Sequence, residues 1–350
     1  MIYLDNASTT RLHHDVIKAM ESAPFGNPSS LHAAGRSARK AVEDAREAVA
    51  SLLGVDPKEI VFTSGATEAD NLALSIPGGK VVSAIEHPAV LEAAEEGVRI
   101  PVDANGLIDV LAFEKAVDGA GVASVMTGNN EVGTIQPVRD LAAICRRRGV
   151  LFHTDAAQAN GKIDLRGLGA DLVTLSAHKM NGPKGVGALW IRKGVAIRAR
   201  QVGGGQEFER RAGTENVAAI VGFGAAARLK RPDVGPLRDR LWRAIQTIPD
   251  SRLNGGGMAP ILNVGFRGVD GEAVVIALDA AGVCVSSGSA CASQSLEPSH
   301  VLLAMGRSAE EARGSIRFSL GIDTTEAEID GAAIATAKVV ARLRSISTVS

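Results

Sequence analysis

A lysine sits where the chain turns between two apolar runs. Leu172-Val173-Thr174-Leu175-Ser176 is short, apolar and rich in β-branched residues, and Val186 to Ile191 repeats that character after a turn containing Gly182, Pro183 and Gly185. Both runs read as buried strands, with Lys179 on the turn that joins them. A lysine is rarely enclosed without a partner. If Lys179 faces a cavity, its pKa can fall and its amine can attack a carbonyl to form a Schiff base. The plain alternative is an exposed turn lysine, for which Lys184 in the same turn serves as the control.

Upstream, Val150-Leu151-Phe152-His153-Thr154-Asp155 is another apolar run, and it ends in an acid. It brings a carboxylate to the C-terminal edge of a sheet, where open α/β folds bind ligands. In Thr63-Ser64-Gly65-Ala66-Thr67-Glu68 a strand runs into a helix whose first amides can hold a phosphate. Alone, each feature is equally an ordinary turn or cap. Together they match the needs of pyridoxal 5'-phosphate: a lysine for its aldehyde, an acid for its ring nitrogen and a cradle for its phosphate.

Several motifs in one order extend this pattern. They are Tyr3-Leu4-Asp5-Asn6-Ala7, Ser64-Gly65-Ala66-Thr67-Glu68-Ala69-Asp70-Asn71, Asn129-Asn130-Glu131-Val132-Gly133, Ser176-Ala177-His178-Lys179, Ser286-Ser287-Gly288-Ser289-Ala290-Cys291-Ala292-Ser293 and Ser315-Ile316-Arg317-Phe318. With them the chain resembles, over nearly its whole length, a cysteine desulfurase of the NifS/IscS type, within the class V aminotransferase-like enzymes. The resemblance implies that Lys179 carries the cofactor and moves the substrate Cα proton, and that Asp155 keeps the ring nitrogen protonated. It makes Gln158 a partner of the ring hydroxyl and sets Asn130 near ring and substrate. Ala66, Thr67, Ser176 and His178 become phosphate ligands, and Thr214 reaches the phosphate of a neighbouring subunit. His87 stacks on the ring and handles protons, and Arg317 grips the substrate carboxylate, a task suited to a guanidinium fork.

Cys291 distinguishes this chemistry from other uses of the same cofactor. Its surroundings, from Ser286 to Ser295, are small and polar, which predicts an accessible loop. A thiolate there can take the sulfur of L-cysteine, leave L-alanine and carry a persulfide to an acceptor protein. Cys145 and Cys284, in apolar settings, read as buried structural cysteines. The rivals are a selenocysteine lyase or aminotransferase of the same fold, and a non-catalytic sulfur-relay scaffold. Two departures from the family stand out. Phe208-Glu209 replace a usual Arg-Gly, and the chain is short between Leu74 and Lys80 and before Val98.

The elements that must position these residues follow from the pattern. Strands are predicted at 60–63, 81–85, 98–102, 122–127, 150–154, 172–176 and 186–191, alternating with helices except before the last. This gives an α/β fold, the PLP-dependent transferase fold type I, with a mostly parallel seven-stranded sheet whose final strand runs antiparallel to its predecessor. Helices are expected at 15–22, 33–53 and 141–147, with Gly54 stopping the second. The breakers from Arg231 to Pro236 divide a large cofactor-binding domain over 13–234 from a smaller α+β C-terminal domain over 235–350, with segment 1–12 joining them. Helices are predicted there at 271–281, 298–305 and 326–343.

Composition excludes other classes. A net charge of -1 over 350 residues makes no electrostatic case for nucleic acid or an anionic membrane. Aromatics are only 3%, so the core must rest on aliphatic side chains. Three cysteines without a Cys-x-x-Cys pair give no disulfide framework or structural metal site, and a reducing cytoplasm suits them. No signal or spanning segment is apparent. A homodimer is implied by the resemblance alone.

Overall fold

The structure, a computed structural model, describes residues 1–287 and 297–347. Its strands are β1 (Ile2–Tyr3), β2 (Ile60–Thr63), β3 (Gly79–Ser83), β4 (Val98–Ile100), β5 (Ala120–Ser124), β6 (Leu151–Asp155), β7 (Leu172–Ser176), β8 (Gly187–Ile191), β9 (Ser251–Asn254), β10 (Ile261–Phe266), β11 (Val283–Cys284), β12 (Ser286–Ser287) and β13 (Ser315–Ser319). The helices are α1 (His14–Glu21), α2 (Ala33–Leu53), α3 (Ala66–Ala73), α4 (Pro88–Ala93), α5 (Val110–Ala116), α6 (Val138–Arg148), α7 (Val217–Ala227), α8 (Gly235–Ile245), α9 (Gly271–Ala280), α10 (His300–Ala304), α11 (Ala309–Arg313) and α12 (Glu326–Ser347).

Seven strands form the large sheet in the order β2-β8-β7-β6-β5-β3-β4. The run β7-β6-β5-β3-β4 is parallel, and β8 is antiparallel to both β7 and β2. Both expectations for this sheet therefore hold. β7 and β8 are linked by a turn too short for a crossover, whereas the parallel strands have longer connections behind them. Sheet positions such as Val61, Val82, Val122, Phe152, Val173 and Leu189 are buried, so helices cover both faces.

α2 shows how sequence makes an element here. Ala38, Val42, Ala45, Val49 and Leu53 recur on one face and are buried. That face packs on α7, and Gly54 ends the helix in the left-handed conformation at φ 68°. Gly224 of α7 allows the close approach, since a Cβ there would meet Ala45 at 2.6 Å.

The second sheet has the order β12-β13-β10-β9 and is antiparallel. Its apolar cluster is separate from that of the large sheet and includes Leu4, Leu262, Val264, Phe266, Ile316, Phe318, Leu278 and Val340. Leu4 belongs to this cluster because the N-terminal segment crosses over: β1 pairs with β11, and Asp5 bridges to Ser319. The cysteine readings divide. Cys145 is buried on α6, and burial pushes its thiol up to about 12. Cys284 is only partly covered, because β11 pairs with a two-residue edge strand and its Sγ lies 3.9 Å from Asp279 Oδ1.

Candidate active site

The C-terminal ends of β6 and β7 carry the acid and the lysine to one place. Asp155 is the last residue of β6, and its Oδ1 accepts the Ala157 amide at 2.8 Å. Burial raises its pKa against the pull of that amide, His87 and Lys179. Lys179 ends the single 3₁₀ turn that follows β7. Its Nζ donates to the carbonyls of Ala7 at 2.7 Å and Ser8 at 2.8 Å. Ala66 and Thr67 open α3, whose N-cap Gly65 makes no side-chain hydrogen bond. Gly187 lets this turn lie against the start of β8, because a Cβ there would meet Gly65 backbone at 2.7 Å.

His87 caps α4, with Nδ1 accepting the Ala89 amide at 3.1 Å. In the neutral ring the proton is therefore on Nε2. Burial, with Lys179 and His300, holds the His87 pKa below its ordinary value, although Asp155 opposes this. His178 packs against Thr9 Oγ1 at 3.2 Å, and burial next to lysines pushes it down to about 4. Gln158 donates Nε2 to Ala7 O at 2.7 Å. Arg317, at the centre of β13, is 2% exposed and donates to Asn130 O, Asp5 Oδ1 and Ser8 Oγ.

These predicted residues share one cavity of about 510 Å³: Ala66, Thr67, His87, Asn130, Asp155, Gln158, Ser176, His178, Lys179 and Arg317 all line it. Thr214 is exposed and stands outside it. Cys291 lies outside the described residues.

Other groups here were not anticipated. Lys162 donates to Gln158 Oε1 at 3.2 Å, and burial among Lys179, Arg231 and Arg317 pushes it down to about 7. The four-residue spacing from Gln158 was the available signal. Beneath the cavity, His153 bonds Ser124 and Thr174, and its Nε2 lies 3.7 Å from Asp70 Oδ1. Burial drives His153 down to about 3, so it is neutral, and it drives Asp70 up. Burial also lifts two acids beside the site: Glu86 to about 8, where Oε1 accepts from Ser83 and Met126, and Glu131 to about 7, where Oε2 accepts from Ser299 at 2.5 Å.

The family pattern described as aminotransferase class-V matches residues 2–331. The chain belongs to the aminotransferase class-V family. A cysteine desulfurase of Cereibacter sphaeroides is 46% identical, the match covering 99% of this chain and 97% of that protein. The cysteine desulfurase IscS of Dictyoglomus turgidum is 43% identical over 99% and 96% of the two chains. Among solved structures, the NifS-like protein from Rickettsia africae ESF-5 superposes with a TM-score of 0.90 at 31% identity, covering 97% of this chain and 99% of that one.

The lining fits the pyridoxal phosphate of class-V enzymes. Among the described residues, Ser176 Oγ is buried without a hydrogen-bond partner, and Ser176 lines the same cavity as the first turn of α3. A hydroxyl left in this state beside the first amides of a helix suits a phosphate. Asp155 suits a protonated ring nitrogen, since a cation there offsets the cost of burying its charge.

Proposed function

We propose that this enzyme is a cysteine desulfurase that converts L-cysteine to L-alanine and carries the sulfur on Cys291 as a persulfide. The observation that carries the reading is the convergence of Lys179, Asp155 and Arg317 on one cavity in a chain so similar to cysteine desulfurases. When bound, pyridoxal phosphate supplies an aldehyde for the substrate amine and a ring that accepts electrons. Asp155 holds the proton at the ring nitrogen. Arg317 fixes the substrate carboxylate, and Lys179 Nζ takes the Cα proton and returns protons to the product. Ala66, Thr67, Ser176 and His178 hold the phosphate, Gln158 and Asn130 orient ring and substrate, and His87 covers the ring.

Cys291 Sγ attacks the substrate sulfur as a thiolate. An S–S bond forms and the Cβ–S bond breaks. The bonding pair and a proton stay with the carbon skeleton as alanine, so no external oxidant or reductant is consumed. Thr214 serves the phosphate of a second subunit in a homodimer, which suits its exposed position. The persulfide passes to an acceptor protein of iron-sulfur cluster assembly or another sulfur relay, and the enzyme works in the cytoplasm. Two separate apolar clusters support a division at 234/235 into a large cofactor-holding domain and a smaller one, joined by segment 1–12.

The test uses purified holoenzyme given L-cysteine. Alanine should appear without any keto acid, and mass spectrometry should find added sulfur on Cys291. Cys291→Ser should lose both the added sulfur and transfer to an acceptor. Sulfur transfer retained by that variant would defeat the reading.

A further inference from the structure

Arg317 is already engaged within the cavity. Its Nη1 donates to Asn130 O at 2.9 Å, while Nη2 is shared between Asp5 Oδ1 at 2.9 Å and Ser8 Oγ at 2.7 Å. Ser8 Oγ in turn donates to Asp5 Oδ1 at 2.8 Å, which fixes the carboxylate against the guanidinium. Asp5 itself is held in place: it bridges to Ser319 on the strand that carries Arg317, and Asn6 and Ala7 bond to Ser319. Nε of Arg317 is buried and has no acceptor among the described residues. One edge of the fork is therefore occupied by a resident anion, and a donor is left over for another.

We propose that Asp5 is a specificity-determining residue, a resident counter-ion that shares Arg317 with the ligand carboxylate and sets how tightly that carboxylate is held. The proposal rests on the reading of Arg317 as the carboxylate clamp. A carboxylate that arrives beside Asp5 puts two like charges on one guanidinium, and the two repel. The device has a structural reason: Asp5 offsets the charge of a guanidinium that is only 2% exposed. It also has a functional one, because weak carboxylates cannot occupy the clamp unless a second anchor, the amine end, adds to their binding.

The position of the pair reinforces this. Residues 5–8 touch both ends of the site, since Ala7 and Ser8 give their carbonyls to Lys179 while Asp5 and Ser8 hold Arg317. A ligand that engages both ends must displace contacts to a single short segment.

Asp5→Asn keeps the shape and an acceptor oxygen while it removes the charge. Titrating the holoenzyme with L-alanine and L-alaninamide, read by the cofactor absorbance, gives a dissociation constant for a ligand with the carboxylate and one without. In D5N, L-alanine should bind about 3- to 10-fold tighter, with L-alaninamide unchanged. An unchanged or weaker affinity for L-alanine overturns the proposal, as does equal tightening of both ligands. Arg317→Lys separates the two assignments. If it weakens L-alanine alone, the clamp stands and a flat D5N response counts against Asp5 only. If it leaves L-alanine unaffected, the clamp reading falls and the proposal falls with it.

Discussion

Two buried arginines in this chain each face one principal carboxylate, yet they are built for different ends. Arg46, on α2, uses both edges of its fork. Nη1 and Nη2 grip Glu207 at 2.7 and 2.9 Å, Nη1 also reaches Ile60 O, and Nε leans on Glu43. Its faces lie against the rings of Phe62 and Phe208 at 4.8 and 5.1 Å. Glu207 is 5% exposed and accepts the Phe62 amide as well. Arg317 instead faces an acid whose side chain is 22% exposed, lines an open cavity and, among the described residues, keeps its Nε without an acceptor. A saturated arginine stabilises a loop, while one with a donor to spare receives a ligand.

The largest effect should come from breaking the saturated pair. Glu207→Ala leaves an enclosed guanidinium with one backbone carbonyl, Ile60 O, and one rim carboxylate, Glu43. It should cost about 3–5 kcal/mol in urea unfolding. Asp5→Asn should cost under about 1 kcal/mol in the same assay, because its partner keeps Ser8 and Asn130 and the acid is partly in water. Comparable losses in the two variants would erase the distinction.

Glu86 gives the comparison a reference point, since it is a buried carboxyl that no cation neutralises. Unfolded, it titrates near 4.5; folded, burial keeps its proton on up to about 8. Between those values the folded chain binds the extra proton, so stability falls as pH rises through the window and is recovered below it. Glu86→Gln removes that dependence. Relative to the parent it should gain on the order of 2–3 kcal/mol at pH 8 compared with pH 5, read from urea unfolding at the two pH values. An unchanged pH slope would mean that the carboxyl is ionised and paired after all.

The fold was legible where chemistry and periodicity agree within a short window. Alternating apolar runs and breakers placed the seven strands, and the short turn after Ser176 predicted the antiparallel β8. β9 and β10 were not anticipated: β9 is four residues with exposed Arg252 and Leu253, too short and too polar to announce itself. α8 was missed because Arg231 to Pro236 reads as breakers until Pro236 is seen inside the first turn. Individual site residues could be named from their motifs, but their connections could not. Arg317 and Asp5 are separated by 312 positions, and Arg46 and Glu207 by 161, so no local pattern links them. Asp5 was visible as part of a motif, while its partner depended on a crossing of the N-terminal segment.

The loop that carries Glu207 offers the finest test. Glu207, Phe208 and Glu209 are all left-handed, with φ of 48°, 58° and 63°. Such a run is costly for residues with a Cβ and persists only where surroundings over-determine it. Glu207 is repaid by Arg46 and the Phe62 amide, and Phe208 by the face of the Arg46 guanidinium. Glu209 is exposed, and its side chain makes no hydrogen bond or ion pair among the described residues, so no side-chain contact there compensates its conformation. The residue usual at this position in the resembled family is glycine, which adopts positive φ without strain. Glu209→Gly should therefore stabilise the chain by about 0.5–1 kcal/mol, a rise of about 1 °C in Tm, while the entropy of a freer unfolded chain limits the gain. Phe208→Gly, by contrast, should destabilise, because relief of strain there strips one face from Arg46. If both variants moved Tm in the same direction, the loop would be held by backbone preference alone, and the packing around Arg46 would not be what distinguishes it from Arg317.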